Sequence, residues 1–437
     1  MSAVSRFFAR TAAAGLVAGA LAGSVQASAE AILLIDAASG KVLQAENATY
    51  PWYPASLSKL MTTYVVLQAV KDGRISMDTL LTVSPNAVAQ APSKMGFRAG
   101  VQVTVDNALK MMLVHSANDI AVVLAEGVDG SIEKFADEMN ATSQRLGMTQ
   151  SSWVNPNGLP AEGQITSARD LGILSRALMH DFPQWDFYWH IPSIKFGRRV
   201  MTNYNKLLLQ YPGADGMKTG FICAAGYNLI ASATRGDRRL IAIVLGAPSG
   251  AARTAKAASL LEQGFNNGTG LSWLLPSLGT VDALQPINAA PPDLHDEICN
   301  HHRRRPAAED DEDEAAATNN GDTDQQRAFM LSDLKGSTHG SLLTGNPLAD
   351  VPPMVVYTGA QRPTGSGEAE ADAALLKSNK KKTKHGPKTA AKPKSEKSDK
   401  TDKKADTTAD KPAKPKKPKA NPKTAAATKP KTAPATQ

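Results

Sequence analysis

The sequence predicts an α+β fold, an antiparallel sheet with a helical subdomain, followed by a long disordered C-terminal tail. Strand patterns open and close residues 30–270, and a block of helical patterns lies between them. From residue 363 onward Gly, Ser, Ala, Lys and Pro dominate and aromatic residues are absent, a composition that cannot bury a core.

The first segment, residues 1–29, has the layout of a secretory signal peptide. Arg6 and Arg10 make a basic start, Ala12 to Ala22 is apolar, and Ala27-Ser28-Ala29 is a small-x-small cleavage site before Glu30. The apolar run is shorter than the roughly 20 residues a spanning helix needs, so cleavage and export to the periplasm or cell envelope are expected. No later stretch is apolar and long enough to span a membrane.

Residues 30–270 form the predicted compact domain. "AILLID" and "KVLQAE" flank the turn residues Ala37 to Gly40 and predict a β-hairpin. Apolar spacing predicts helices near 56–71, 106–127, 131–146 and 167–180, the last capped by Thr166 or Ser167 with Asp170 in its first turn. "YNLIASATR" and "LIAIVLGA" predict two strands around "GDRR", and 251–265 a final helix. Residues 271–362 read as a mostly irregular linker, with short apolar pieces at 327–333 and 349–357 suited to docking on the main domain.

Charge is divided along the chain. Residues 377–437 hold 20 Lys against 5 acidic residues, a net +15. The rest holds 29 basic and 36 acidic residues, a net −7, so the basic pI belongs to the tail. In an exported protein such a tail suits anionic wall polymers or lipid head groups. Nucleic acid is not an expected partner, because export removes it and the tail has no aromatic residues for stacking. Cys223 and Cys299 are the only cysteines, and their spacing leaves a disulfide and two free thiols equally open. "CNHHRRR" at 299–305 lacks a second ligand pair at zinc-site spacing, so no metal and no cofactor is expected.

Chemistry enters with "YPASLSKLMTTYVV" at 53–66. Ser56 and Lys59 are three apart and share one helix face, hydroxyl beside amine. Pro54 is a helix-start residue, so Ser56 falls in the first turn, where N–H groups favour developing negative charge. A serine hydroxyl needs a nearby base to become a nucleophile, and a lysine serves when burial or another cation lowers its pKa. Alone, Ser-x-x-Lys equally describes a cap serine and a lysine that lays its stem on apolar surface. Two later motifs weigh against that: Ser116-Ala117-Asn118, and Lys218-Thr219-Gly220 just before a strand pattern. Ser-x-x-Lys with Ser-Asp-Asn and Lys-Thr-Gly marks class A β-lactamases and penicillin-binding proteins.

Roles follow from residue chemistry. Ser116 can relay a proton to a leaving amine, and Asn118 can offer its amide to a substrate backbone. Lys218 adds positive charge, Thr219 can bind a carboxylate, and Gly220 permits close approach of strand and substrate. Backbone N–H groups of Ser56 and Ile222 would form the oxyanion hole.

Beyond these motifs, "AILLIDAASGKVLQAENA", "NPNGL" at 155–159, "TSARDLGIL" at 166–174, "NYNKLL" at 203–208 and "LIAIVLGA" at 240–247 resemble the D-alanyl-D-alanine carboxypeptidases of the low-molecular-mass penicillin-binding proteins. The resemblance implies a β-lactamase/penicillin-binding-protein-like fold, with the sheet flanked by helices. It implies acyl transfer at peptidoglycan stem peptides ending in D-Ala-D-Ala, with β-lactams as inhibitors. It assigns Arg253, eleven residues before Gly264, to the terminal carboxylate, which suits a bidentate guanidinium. There are departures. Asn157 stands where many relatives have a histidine, and the family's β-rich second domain and terminal amphipathic helix are not recognisable. The rival readings are a D,D-endopeptidase, a β-lactamase, or a wall-binding protein acting through its tail.

Overall fold

Asp36 turns the chain back on itself, its Oδ1 accepting from the Ser39 N–H at 2.9 Å and the Ser39 hydroxyl at 2.7 Å. The hairpin so closed joins β1 (Ala31–Asp36) to β2 (Val42–Glu46). It opens the part of the chain that a computed structural model describes: residues 30–266, 277–300, 342–343 and 345–362. The expected signal peptide, the basic tail and the apolar piece 327–333 lie outside the described residues.

A 3-10 turn, Ala55–Leu57, leads into α1 (Ser58–Lys71). Every residue of α1 from Ser58 to Leu67 is buried, so this helix is enclosed on all sides rather than lying on the surface. A small ribbon of β3 (Leu80–Thr82) and, after α2 (Pro85–Ala89), β4 (Gln102–Thr104) follows. Then come α3 (Val105–Val114), α4 (Asn118–Asp129), α5 (Ile132–Leu146) and α6 (Ala168–Asp181). The side chains of Thr104, Ser131 and Ser167 accept from the N–H three residues on and start α3, α5 and α6. Of the two expected caps of α6, Ser167 therefore does the capping.

The pattern at 106–127 reads as one helix, and the structure corrects it to two. Helix α3 ends at Val114, Ser116 takes a left-handed φ of +55°, and α4 begins at Asn118. The Asn118 N–H donates to Ser93 O at 2.7 Å, which commits the backbone to a neighbouring loop instead of the helix ladder.

A hairpin of β5 (Ser193–Phe196) and β6 (Arg199–Thr202) and one turn of helix, α7 (Leu207–Gln210), precede the closing strands. These are β7 (Ala214–Ile222), β8 (Gly226–Arg235) and β9 (Arg238–Ala247), followed by α8 (Gly250–Asn266). The main sheet is antiparallel in the order β2-β1-β9-β8-β7, with β7 at one edge. Lys218-Thr219-Gly220 lies inside β7 rather than in a turn before a strand.

Helices cover both faces of this sheet. A Cβ at Gly172 of α6 would sit 3.0 Å from the Leu33 side chain, and one at Gly264 of α8 2.8 Å from that of Leu34. Leu33 and Leu34 are neighbours on β1 and point to opposite faces. That is why "LIAIVLGA" is apolar without alternation: Leu240 to Ala247, in the central strand, is buried throughout.

Pieces of the expected linker dock on this body. Val281 donates its N–H to Gly40 O at 2.9 Å and buries its side chain against α6. Leu294 and Ile298 are buried, and a two-residue strand, β10 (Met354–Val355), pairs in parallel with β5. The cysteine pairing left open by the sequence is decided, since Cys223 and Cys299 form a disulfide across 76 residues of chain.

Arg235, at the end of β8, bonds Glu262 of α8 at 2.7 Å and the Tyr211 hydroxyl at 2.8 Å. The Arg235 hydrogen bond holds the Glu262 carboxyl below its ordinary value of 4.5. A lowered folded-state pKa contributes stability that is present above the unfolded value and is lost as pH falls through the folded one. Thermal melts at several pH values should therefore show wild type more stable than Glu262→Gln near pH 7. That gap should close as pH falls below about 4.5, and a gap unchanged by acid would refute the clamp.

Candidate active site

Three stretches far apart in sequence meet at the N-terminus of α1. Ala55 takes a left-handed φ of +48° just before Ser56, and Ser116 takes one of +55°. Neither is glycine, so both positions carry backbone strain of the kind that surrounding packing must hold. Ser56 is partly exposed at the mouth of the site, while Lys59, one turn deeper, is fully buried.

Lys59 Nζ lies 2.7 Å from Ser56 Oγ, 2.7 Å from Asn118 Oδ1 and 2.8 Å from the Asn157 carbonyl oxygen. The two amide oxygens can only accept, whereas the hydroxyl can donate or accept. The same geometry therefore serves both protonation states. As an ammonium, Lys59 donates to all three oxygens; as an amine, it keeps two N–H groups for the amides and turns its lone pair to the Ser56 proton.

Asn118 is committed on both sides of its amide. Its Nδ2 donates to the carbonyls of Ala91 at 3.0 Å and Pro92 at 2.9 Å, while its oxygen faces Lys59. Both N–H groups of Asn118 thus face the 91–92 loop, and its oxygen faces Lys59. Beside it, Asp119 accepts from the N–H groups of Met95, Gly96 and Ile120 at 3.1, 2.8 and 2.9 Å. Burial pushes the Asp119 carboxyl upward, against the pull of those donors.

Strand β7 forms the opposite wall. Lys218 is buried, and its Nζ donates to Thr219 O at 3.0 Å. A Cβ on Gly220 would lie 3.1 Å from both Pro54 O and Ser56 N, so the missing side chain is what lets β7 close on the serine turn. Ile222 is two residues on and directs its N–H to the same side of the strand as Gly220. Arg253 reaches the back of this strand from α8: Nη1 is 3.3 Å from Asn228 O and 3.5 Å from Gly220 O, with the guanidinium 5.6 Å from the Tyr227 ring. Among the described residues, Ser116 Oγ and Thr219 Oγ1 are buried hydroxyls without a hydrogen-bond partner. Buried polar atoms are nearly always paired, which sets these two hydroxyls apart. Cys223 is in the disulfide, which removes the alternative of a reactive thiol near the cleft.

Hydrogen bonds join Ser56, Lys59 and Asn118, and Gly220 brings the strand that carries Lys218, Thr219 and Ile222 against the serine turn. The structure adds Gly158 and the backbone carbonyl of Asn157, a residue the sequence marks only as a departure from the relatives' histidine within the turn-rich "NPNGL". Asn157 contributes its backbone carbonyl, a role any residue type fulfils, and its side chain donates to Gln90 Oε1 at 2.9 Å.

Comparisons with known proteins identify the family and the fold. The family model described as D-alanyl-D-alanine carboxypeptidase matches residues 18–249. The chain belongs to this family. It is 41% identical over 244 residues to D-alanyl-D-alanine carboxypeptidase DacC of Escherichia coli, covering 54% of this chain and 61% of the relative. It is 30% identical over 246 residues to DacB2 of Mycobacterium tuberculosis, covering 54% of this chain and 82% of that one. Among solved structures, it superposes on penicillin binding protein 5 from Haemophilus influenzae with a TM-score of 0.52 and 35% identity, covering 55% of this chain and 71% of that one. DacD from Francisella tularensis gives 0.53 and 31%, covering 54% and 70%. The fold is that of the penicillin-binding proteins. The chain spans 61–63% of the length of the first curated relatives it matches.

Gly158 tests the packing that holds the serine turn. It has φ of +83°, and a Cβ there would fall 1.7 Å from Ala55 O. Gly100, with φ of +87°, has nothing within 4 Å of its Cβ position. Gly100→Ala should cost only the left-handed penalty of about 1–2 kcal/mol. Gly158→Ala should cost about 4 kcal/mol or more, read from denaturant unfolding; equal costs would show that the turn does not depend on this contact.

Proposed function

We propose that this protein is a serine-type D-Ala-D-Ala carboxypeptidase that removes the terminal D-alanine from peptidoglycan stem peptides and is trapped by penicillin. The observation that carries the reading is Lys59 Nζ, fully buried and 2.7 Å from Ser56 Oγ. Family membership supports the same assignment.

In the first step Ser56 Oγ attacks the carbonyl carbon of the penultimate D-Ala and passes its proton to Lys59. The tetrahedral oxyanion is held by the N–H groups of Ser56 and Ile222, and each such donor contributes about 10²–10³ in rate. The C–N bond then breaks, and the leaving amine takes a proton through Ser116, whose hydroxyl has no competing partner. Thr219, with an equally unengaged hydroxyl, takes the terminal carboxylate, aided by the positive charge of Lys218 and by Arg253 behind the strand. Water hydrolyses the Ser56 ester and regenerates the free serine. Asn118 and the Asn157 carbonyl keep Lys59 aimed through the cycle.

Intact-mass measurement after penicillin treatment should show one adduct on wild type and none on Ser56→Ala. Lys59→Arg, larger and permanently charged, should acylate about 100-fold more slowly or worse. Stem-peptide digests should lose one D-Ala while cross-links remain; loss of cross-links instead would favour the endopeptidase, and fast penicillin turnover the β-lactamase.

The same proposal places the mature protein outside the cytoplasm. Its support is the signal-peptide layout of residues 1–29, and no described helix is long and apolar enough to cross a membrane. The tail, at a net +15 over 377–437, is assigned to anionic wall polymers or lipid head groups. Deleting 377–437 should abolish low-salt sedimentation with cell walls or anionic vesicles; unchanged sedimentation removes this assignment.

A further inference from the structure

A cleft of about 600 Å³ opens beside the serine turn. Ala55, Leu159, Ile165, Ile222, Ala224 and Pro291 line it. Among the described residues that line it, Glu162 is the only charged one and is exposed. Two features set the Pro291 side apart. First, Pro291 lies beyond residue 249, where the match to the family model ends, so this wall is built by the chain's own continuation. Second, that continuation is anchored against the end of β7. The Leu294 N–H donates to Ala224 O at 3.0 Å, Leu294 and Ile298 are each 3% exposed, and Cys299 is joined to Cys223. Cys223 immediately follows Ile222.

The direction of the substrate along β7 gives the cleft a use. In the function proposed above, on which this inference rests, the terminal carboxylate lies at Thr219 and the attacked carbonyl between Ser56 and the Ile222 N–H. The part of the acyl group that precedes the attacked carbonyl must then continue past Ile222, and the cleft begins there. We propose that this cleft is an acyl-side subsite for uncharged, apolar groups, and that the disulfide-held segment Pro291–Cys299 is its specificity-determining wall. Its lining is mostly apolar, with Glu162 and the buried Gln164 among its polar residues, as in ligand pockets generally, where a few polar groups orient the ligand and apolar surface supplies the contact. The disulfide acts by position: with the Leu294–Ala224 hydrogen bond it holds the segment that brings Pro291 to the cleft.

The test uses the full chain and two penicillins that differ only on the acyl side. Benzylpenicillin carries a phenylacetyl group there, and 6-aminopenicillanic acid carries none. Rates of Ser56 acylation by each are measured on wild type, on Cys223→Ser/Cys299→Ser and on Pro291→Gly. Pro291→Gly leaves the disulfide in place and so guards against misfolding of the double variant. Both variants should lose about tenfold in rate with benzylpenicillin, the scale expected for losing one apolar contact surface, and stay within about twofold with 6-aminopenicillanic acid. Parallel losses with both probes, or no loss with either, overturn the subsite. No Ser56 adduct on wild type with either probe overturns the acyl-enzyme reading itself, and the subsite with it.

Discussion

A lysine amine held away from water is the constraint around which this protein is arranged. Lys59 is fully buried, and burying such a group without polar partners costs several kcal/mol. Its oxygens come from three places: Ser56 on its own turn, Asn118 at the head of α4, and the backbone of Asn157 in the loop before α6. Each supplier is distorted or pinned in order to reach it. Ser116 turns left-handed to break a helix in front of Asn118. The 91–92 carbonyls hold the Asn118 amide, and Gly158 lets its loop lie against Ala55 where no side chain would fit. The central helix α1, which carries Lys59 and follows directly on the turn that holds Ser56, is buried along its first turns.

The sheet completes the site from the other side through a single close approach. Gly220 on the edge strand meets the backbone of Pro54 and Ser56 at contact distance. Strand β7 is an edge strand of the sheet, and the face that Gly220 presents packs on the serine turn. The helices on both faces fix the sheet, and the sheet fixes the strand. Chemistry and stability therefore share residues: Arg253 packs on Tyr227 and touches the Gly220 carbonyl from the buried side of α8.

The region after the family domain is more than a spacer. Val281, Leu294, Ile298 and β10 each pack against the main body, and the disulfide ties one of these pieces to the end of the active-site strand.

Local chemistry made much of this legible in advance. Hairpin turns, helix caps, the alternation of helical and strand patterns and the three short motifs are all properties of neighbouring residues, and the fold brings Lys59 within 2.7 Å of both Ser56 Oγ and Asn118 Oδ1. What sequence could not decide depends on contacts between distant segments. The break at His115–Ala117 hides inside a continuous helical pattern, because its cause, Ser93 accepting the Asn118 N–H, lies elsewhere in the chain. Asn157 acts through a carbonyl, which every residue possesses, so no side-chain signal marks it. Two cysteines 76 residues apart are compatible with pairing or freedom until the fold brings them together. The sequence by itself determined which groups could react; only the tertiary structure decided which atoms they face, because burial and hydrogen-bond direction are set by packing across the whole chain.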